Sequence, residues 1–121
     1  MAEHNEIGKE GEAAALRYLQ SKGYAILETN WQCGNYEIDV IARQHDGVLI
    51  FCEVKSRTSA FFGEPELFVS RQKQRNIIKA AEIYVERYQR NEEIRFDILA
   101  VLFSKEEIQI KHIQNAFNCS W

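Results

Sequence analysis

From Ile7 to Lys22 the apolar residues recur at helical spacing. Ala15, Leu16 and Leu19 share one face with Glu12, Gly8 stands one turn earlier, and Gly23 stops the run. The pattern predicts a helix over residues 7–22, with Glu12 on its apolar stripe rather than its wet side. The period then shortens. "YAILETNWQ" (24–32) and "YEIDVIAR" (36–43) read as strands around a "CGN" turn, and "VLIFCEVKS" (48–56) follows a tight "HDG" turn as a third strand. Val48 to Cys52 has no polar break, so this third strand is apolar on both faces and is predicted at the centre of a sheet. The stretch "RTSAFFGEPELF" (57–68) reads as a loop, long enough to suggest a function.

Ser70 is placed to cap a second helix running to about Tyr88. Its inner stripe is Ile77, Ala80, Ala81, Tyr84 and Tyr88, flanked by Ile78 and Val85, and Lys73 lies on that stripe near the helix start. "IRFDILAVLF" (94–103) is a further strand, and "EEIQIKHI" (106–113) a last one on an edge. The order is α-β-β-β-α-β-β, an α/β class with one mixed sheet flanked by helices.

Composition narrows the class. The 121 residues form one expected domain, 1–121, with 45 % apolar and 27 % charged residues. "MAEHNEIGKE" is polar and acidic, unlike a secretory leader, and no apolar run is long enough to span a membrane. Cys33, Cys52 and Cys119 are an odd count without metal-type spacing, which suits a reducing, cytoplasmic setting. Cys52 reads as a small buried hydrophobe, and His4, His45 and His112 as surface residues. The net charge is −3, but it is unevenly spread. Residues 1–54 carry four Lys/Arg against nine Asp/Glu, whereas residues 55–79 carry six against two. The positive segment follows the third strand, where a local field can steer an anionic ligand despite the net charge.

One stretch of that strand raises a chemical question. In "IFCEVKSR" (50–57) Glu53 and Lys55 project from the same face at the end of a core strand. What opposes them depends on the hairpin loop. A two-residue loop, Asp46-Gly47, pairs His45 with Val48 and turns Asp39 away from Glu53. A three-residue loop, His45 to Gly47, pairs Gln44 with Val48 and sets Asp39 opposite Glu53 and Glu37 opposite Lys55. Both loops fit "HDG". Only the second register, or a bulge with the same effect, brings the carboxylates together. Facing carboxylates repel, so one takes a proton or both bind a cation. Two carboxylates with water and phosphate oxygens make a shell for Mg²⁺, and Lys55 beside them is placed to orient water or stabilise charge on a phosphate. Glu-x-Lys is also a common salt bridge at strand ends. Asp39 on the neighbouring strand and Glu12 on an apolar helix face both strengthen the metal reading. So does Lys73, a cation at a helix N-terminus that wants an anion nearby.

The segments "GKEGEAAALRYLQSKGY", "NYEIDVIA", "FCEVKSR", "SRQKQRNI" and "RFDILAV" resemble the YraN-like family of uncharacterised bacterial proteins, from about Gly8 to Phe103. That family resembles a branch of the PD-(D/E)XK nuclease superfamily, related to archaeal Holliday-junction resolvases. The likeness implies a restriction-endonuclease-like fold. It implies Asp39 as the metal-binding aspartate, Glu53 and Lys55 as the (D/E)XK pair, and Glu12 as the first-helix carboxylate. Lys73 matches the polar residue on the following helix. Tyr36 replaces the glycine of the family's "GEID" segment, and Ile38 stands where the superfamily motif has proline; neither change touches an implied ligand.

Three functions follow as expectations. The first is a Mg²⁺- or Mn²⁺-dependent DNA endonuclease, with branched or damaged DNA as candidate substrates and a homodimer as a candidate assembly. Asp39, Glu53 and Glu12 hold metal, Lys55 serves the attacking water, and Arg57, Arg71, Lys73, Arg75 and Lys79 follow the phosphate backbone. Arg71 and Arg75 point away from the inner stripe and read equally as a solvated face. The second is a nucleic-acid-binding module that keeps the site without cleaving. The third is a partner-docking protein using Phe61, Phe62 and Phe68. Glu37 reads equally as a salt-bridge partner for Lys55, and Asp97 as a partner of Arg95 or a neighbouring strand.

Overall fold

The structure, a computed structural model, describes residues 2–58 and 69–118, with side chains from Ile7 onward. Phe61, Phe62, Phe68 and Cys119 lie outside the described residues, as does the side chain of His4. The elements are α1 (Ala2–Ser21), β1 (Ala25–Cys33), β2 (Tyr36–Arg43), β3 (Leu49–Thr58), α2 (Arg71–Arg87), β4 (Ile94–Phe103) and β5 (Ile108–Phe117). The order is the expected α-β-β-β-α-β-β, an α/β fold. The strands form one sheet in the order β1-β2-β3-β4-β5. Only β3 and β4 run parallel, and α2 lies in the chain between them, as a parallel crossover requires.

β3 is central, and its first five residues are buried. Alternate residues therefore meet different helices. Leu49 and Phe51 join Ile41, Phe96 and Ile98 against Ile77, Ala80, Ala81 and Tyr84 of α2. Ile50 and Cys52 join Val40, Ala42, Leu99 and Val101 against Ala14, Ala15 and Leu19 of α1. Each fully buried large aliphatic side chain contributes about 1.5–3 kcal/mol through removal from water. Cys52 is the expected buried hydrophobe, and burial pushes its thiol well above the usual range.

The "HDG" turn resolves into the three-residue register. Gln44 N–H donates to Val48 O, Gly47 N–H donates to Gln44 O, and Gly47 takes a φ of +103°, which a side chain would resist. Pairing then runs Arg43↔Leu49, Ala42↔Ile50, Ile41↔Phe51 and Val40↔Cys52. There the ladder stops. β2 continues beside β1 and β3 beside β4.

Three expectations change. Tyr88 is the C-cap of α2 and is 48 % exposed, so the inner stripe ends at Tyr84; Tyr88 only leans on the Tyr84 ring. His112 is not a surface residue: its side chain is 6 % exposed, and Nε2 lies 2.7 Å from Oδ2 of the fully buried Asp97. β5 extends to Phe117 rather than fading at Ile113. Its register against β4 shifts between Phe96 and Ile98, and Asn115, at φ +53°, gives its N–H to Asp97 Oδ1. The polar Gln114-Asn115 pair marks a bulge within the strand, not its end. Asp97 also accepts two bonds from Arg95 at 2.9 Å. Burial alone would raise its pKa, but the bonds from His112, Arg95 and Asn115 outweigh that and hold it below the usual range.

Candidate active site

The site lies where β2 and β3 part. Asp39 is the first β2 residue beyond the last ladder pair, and its Oδ2 accepts the N–H of Val54 at 2.8 Å. The carboxylate thus takes a backbone donor that the interrupted ladder leaves over. Glu53 is the last buried residue of β3, 5 % exposed. Lys55 Nζ lies 3.5 Å and Lys73 Nζ 4.0 Å from the same atom, Glu53 Oε2. Ser70 caps α2 by accepting the Lys73 N–H at 3.1 Å, which places the Lys73 side chain in the first turn. The anion that its position called for is Glu53 itself.

Glu12 enters from α1. Among the described residues of α1 the buried ones are Gly11, Ala14, Ala15 and Leu19, so Glu12 and Leu16 sit at the edge of the stripe, half-buried. A Cβ built on Gly11 would lie 1.8 Å from Ser56 Oγ, so α1 touches β3 closely one residue before Glu12. Asn30 Nδ2 donates to Glu12 Oε1 at 3.0 Å. Asn30 is a residue that sequence reasoning missed. Its φ of +49° is tolerable for Asn, and an Asn inside a strand is uncommon, but neither feature marks it as a carboxylate partner from the sequence alone.

Glu12, Asp39, Glu53, Lys55, Ser56 and Arg57 line one open cleft of about 340 Å³. Arg57 donates from Nη1 to the Ser56 carbonyl at 2.8 Å. Arg71 and Arg75 are exposed and do not line this cleft. Glu37 pairs with Gln32 across β1, and among the described residues no ion pair joins it to Lys55, which turns to Glu53 instead.

The carboxylates are coupled. Burial, then the charge of Glu53, push Asp39 up to about 7, with smaller contributions from Glu12 and Glu37; the Val54 N–H opposes them. This is the response expected of a carboxyl group that is buried beside a second carboxylate. Among the described residues no three His, Cys, Asp or Glu side chains are grouped so as to hold a metal ion. The donor set fits the looser kind of site. One oxygen of each carboxylate is committed, Asp39 Oδ2 to Val54 and Glu53 Oε2 to the lysines, which leaves Asp39 Oδ1 and Glu53 Oε1 as the donors. Two carboxylates, with the remaining positions filled by water and phosphate, suit a hard divalent ion such as Mg²⁺.

Comparison with known proteins gives the chain its relatives. The model of the uncharacterised protein family UPF0102 matches residues 11–101, which include every candidate site residue. A UPF0102 protein of Flavobacterium psychrophilum is 47 % identical, covering 97 % of this chain and 98 % of the relative. One from Geobacter metallireducens is 42 % identical over the full length of both. Among solved structures, a chain of the EndoMS–dsDNA2 complex aligns with a TM-score of 0.43 and 19 % identity, covering 72 % of this chain and 33 % of that one.

Proposed function

The chain belongs to the uncharacterised protein family UPF0102, and we propose that it is a divalent-metal-dependent endonuclease hydrolysing DNA phosphodiester bonds. One observation carries the reading. Asp39 and Glu53 reach one cleft with Lys55, and burial together with the Glu53 charge raises the Asp39 pKa, a strain that a bound cation would relieve.

In this reading Asp39 and Glu53 would hold the metal, and Glu12, oriented by Asn30, would complete its surroundings. A bound Mg²⁺ or Mn²⁺ polarises a phosphoryl oxygen and lowers the pKa of a water. The chain's own groups do the rest. Lys55 places an ammonium on the Glu53 side of the cleft, where it orients the attacking water and stabilises charge growing on the phosphate. Lys73 adds a second cation at the start of α2. Arg57 lines the cleft and meets the phosphate on one flank of the scissile bond. Arg71 and Arg75, exposed on α2, serve the more distant backbone.

The test is cleavage of labelled linear, flapped and four-way DNA with Mg²⁺ or Mn²⁺, beside Asp39→Ala and a chelator control. Cutting that disappears in both controls is the expected result, and the preferred substrate names the subclass. Binding that strengthens with Ca²⁺ but never leads to cutting would overturn the nuclease reading and leave a non-cleaving nucleic-acid module.

A further inference from the structure

A second cleft, of about 390 Å³, runs along the flank of α2. Tyr36, at the start of β2, forms one wall. Gln72, Arg75, Asn76 and Lys79, from successive turns of α2, form the other, and the buried Ile78 lies between them. This cleft shares β2 with the carboxylate cleft, and α2 reaches the carboxylates through Lys73. Tyr36 is three residues before Asp39 on β2, a distance of about 10 Å along the strand. Gln72 and Asn76 flank Lys73, whose ammonium lies on Glu53. Tyr36 and Asp39 both stand on the part of β2 beyond its pairing with β3, so a strand crossing that end of the sheet can reach both clefts.

The lining has the chemistry of a base rather than of a backbone. Tyr36 offers an aromatic ring, partly packed on the core beneath α2. Gln72 Nε2 donates to Asn76 Oδ1 at 3.0 Å, and Gln72 Oε1 accepts from Arg75 Nη2 at 3.3 Å. The amides are thus held in a fixed relay before any ligand arrives. Glu82 closes the cleft, a carboxylate where a run of phosphates would be repelled. We propose that this cleft receives one unpaired nucleobase of the bound strand and prefers adenine and cytosine, whose pairing edges each carry an exocyclic amine, over thymine, which has none. The position of the strand rests on the nuclease reading; the recognition does not require cleavage. Stacking on Tyr36 supplies affinity without regard to sequence. An amide side chain pairs with the adenine edge, and a carboxylate accepts from an exocyclic amine, which thymine lacks. A base still stacked in a duplex cannot enter, so the ligand is single-stranded, flapped or everted DNA. Lys79 meets a flanking phosphate.

The experiment is fluorescence anisotropy of the full chain with short labelled oligodeoxynucleotides of one base type, and with a duplex, in Ca²⁺. Adenine and cytosine strands should bind about tenfold tighter than thymine strands or the duplex. Tyr36→Ala should lose about tenfold for the favoured strands and Tyr36→Phe should keep it. Asn76→Ala should flatten the base preference, while Lys79→Ala should weaken all strands alike and reduce the salt slope by about one. Circular dichroism melts verify that each variant folds. Equal binding of all bases, or favoured-strand affinity unchanged in a folded Tyr36→Ala, would overturn the proposal even if the protein cuts DNA. The expected preference in a protein that never cuts would sustain this cleft and overturn the nuclease. Absence of binding to any strand would overturn both.

Discussion

Asp39 should make the protein less stable as pH rises through neutrality, and Asp39→Asn should remove that loss. Its ordinary pKa is 3.8, and in the folded chain burial and Glu53 push it up to about 7. Between those values the native state keeps a proton that the unfolded chain has released. Stability therefore falls with pH in this window, by about 1.4 kcal/mol per unit, and levels off above the folded value. From pH 5 to pH 8 the loss is about 2–3 kcal/mol, a large part of the 5–15 kcal/mol typical of a whole domain. Asn mimics the protonated form, and its side-chain oxygen can still accept from Val54 N–H. Urea unfolding of both proteins at several pH values between 5 and 8 isolates the effect, because contributions from other groups cancel in the difference. Asp97 does not interfere: its pKa is lowered, so its contribution is lost only as pH falls below the ordinary carboxylate range. The advantage of the Asn variant should widen by about 2–3 kcal/mol from pH 5 to pH 8. Mg²⁺ at pH 8 should then stabilise the wild type and not the variant, since a ligand that binds only the native state adds stability by mass action. A difference that stays flat with pH would mean that Asp39 is already ionised at pH 5, and the argument for a cation-seeking pair would collapse.

Three further predictions follow from neighbouring contacts. Gly11→Ala places a methyl 1.8 Å from Ser56 Oγ and 3.0 Å from its Cβ, so the variant should lose about 1–3 kcal/mol, less the roughly 1 kcal/mol gained in helix propensity. Thermal melts should show that drop and its recovery in Gly11→Ala/Ser56→Gly; additive effects would rule out this contact as the cause. Lys55→Ala breaks only a partly exposed ion pair, so folding stability should change by about 1 kcal/mol or less, while single-turnover cleavage slows by about 10²–10⁴-fold with Ca²⁺-dependent binding retained. Asp97→Asn leaves Arg95 and His112 facing a neutral group in a fully buried position, and should cost about 3–5 kcal/mol in urea unfolding against about 1–2 for His112→Gln; similar small losses in both would show that water reaches the network.

The parts legible from sequence share one physical origin. Periodicity reports which residues leave water, so the seven elements, their order and the central place of β3 were readable. The Asp39–Glu53 encounter needed one more fact, the hairpin loop length, and "HDG" allowed two; Gly47 at positive φ selects the register. What sequence could not show depends on contacts distant along the chain. Asn30 meets Glu12 across 18 positions, and His112 reaches Tyr18, at 3.0 Å, across 94. A histidine in a mixed polar stretch reads as solvated, but its pairing with the buried Leu99 puts the ring on the α1 side of the sheet, against Asp97. Tyr88 fits the helical period but falls on the cap, where the helix has already left the sheet.

The break in the β2–β3 ladder joins these observations. Had the pairing continued past Val40 and Cys52, Asp39 and Glu53 would have been cross-strand neighbours in a closed sheet, a repulsive pair with no room for water. Instead the strands part, the Asp39 side chain satisfies Val54 N–H, the opening admits Glu12 from α1, and Lys73 from α2 reaches Glu53. The cost is a carboxyl group that burial and its neighbour drive towards the neutral form. A fold under selection for stability alone could replace Asp39 with Asn and keep the backbone bond. Keeping the carboxylate makes sense if something positively charged binds there, and Lys55 and Lys73 pair with Glu53 Oε2 rather than with Asp39.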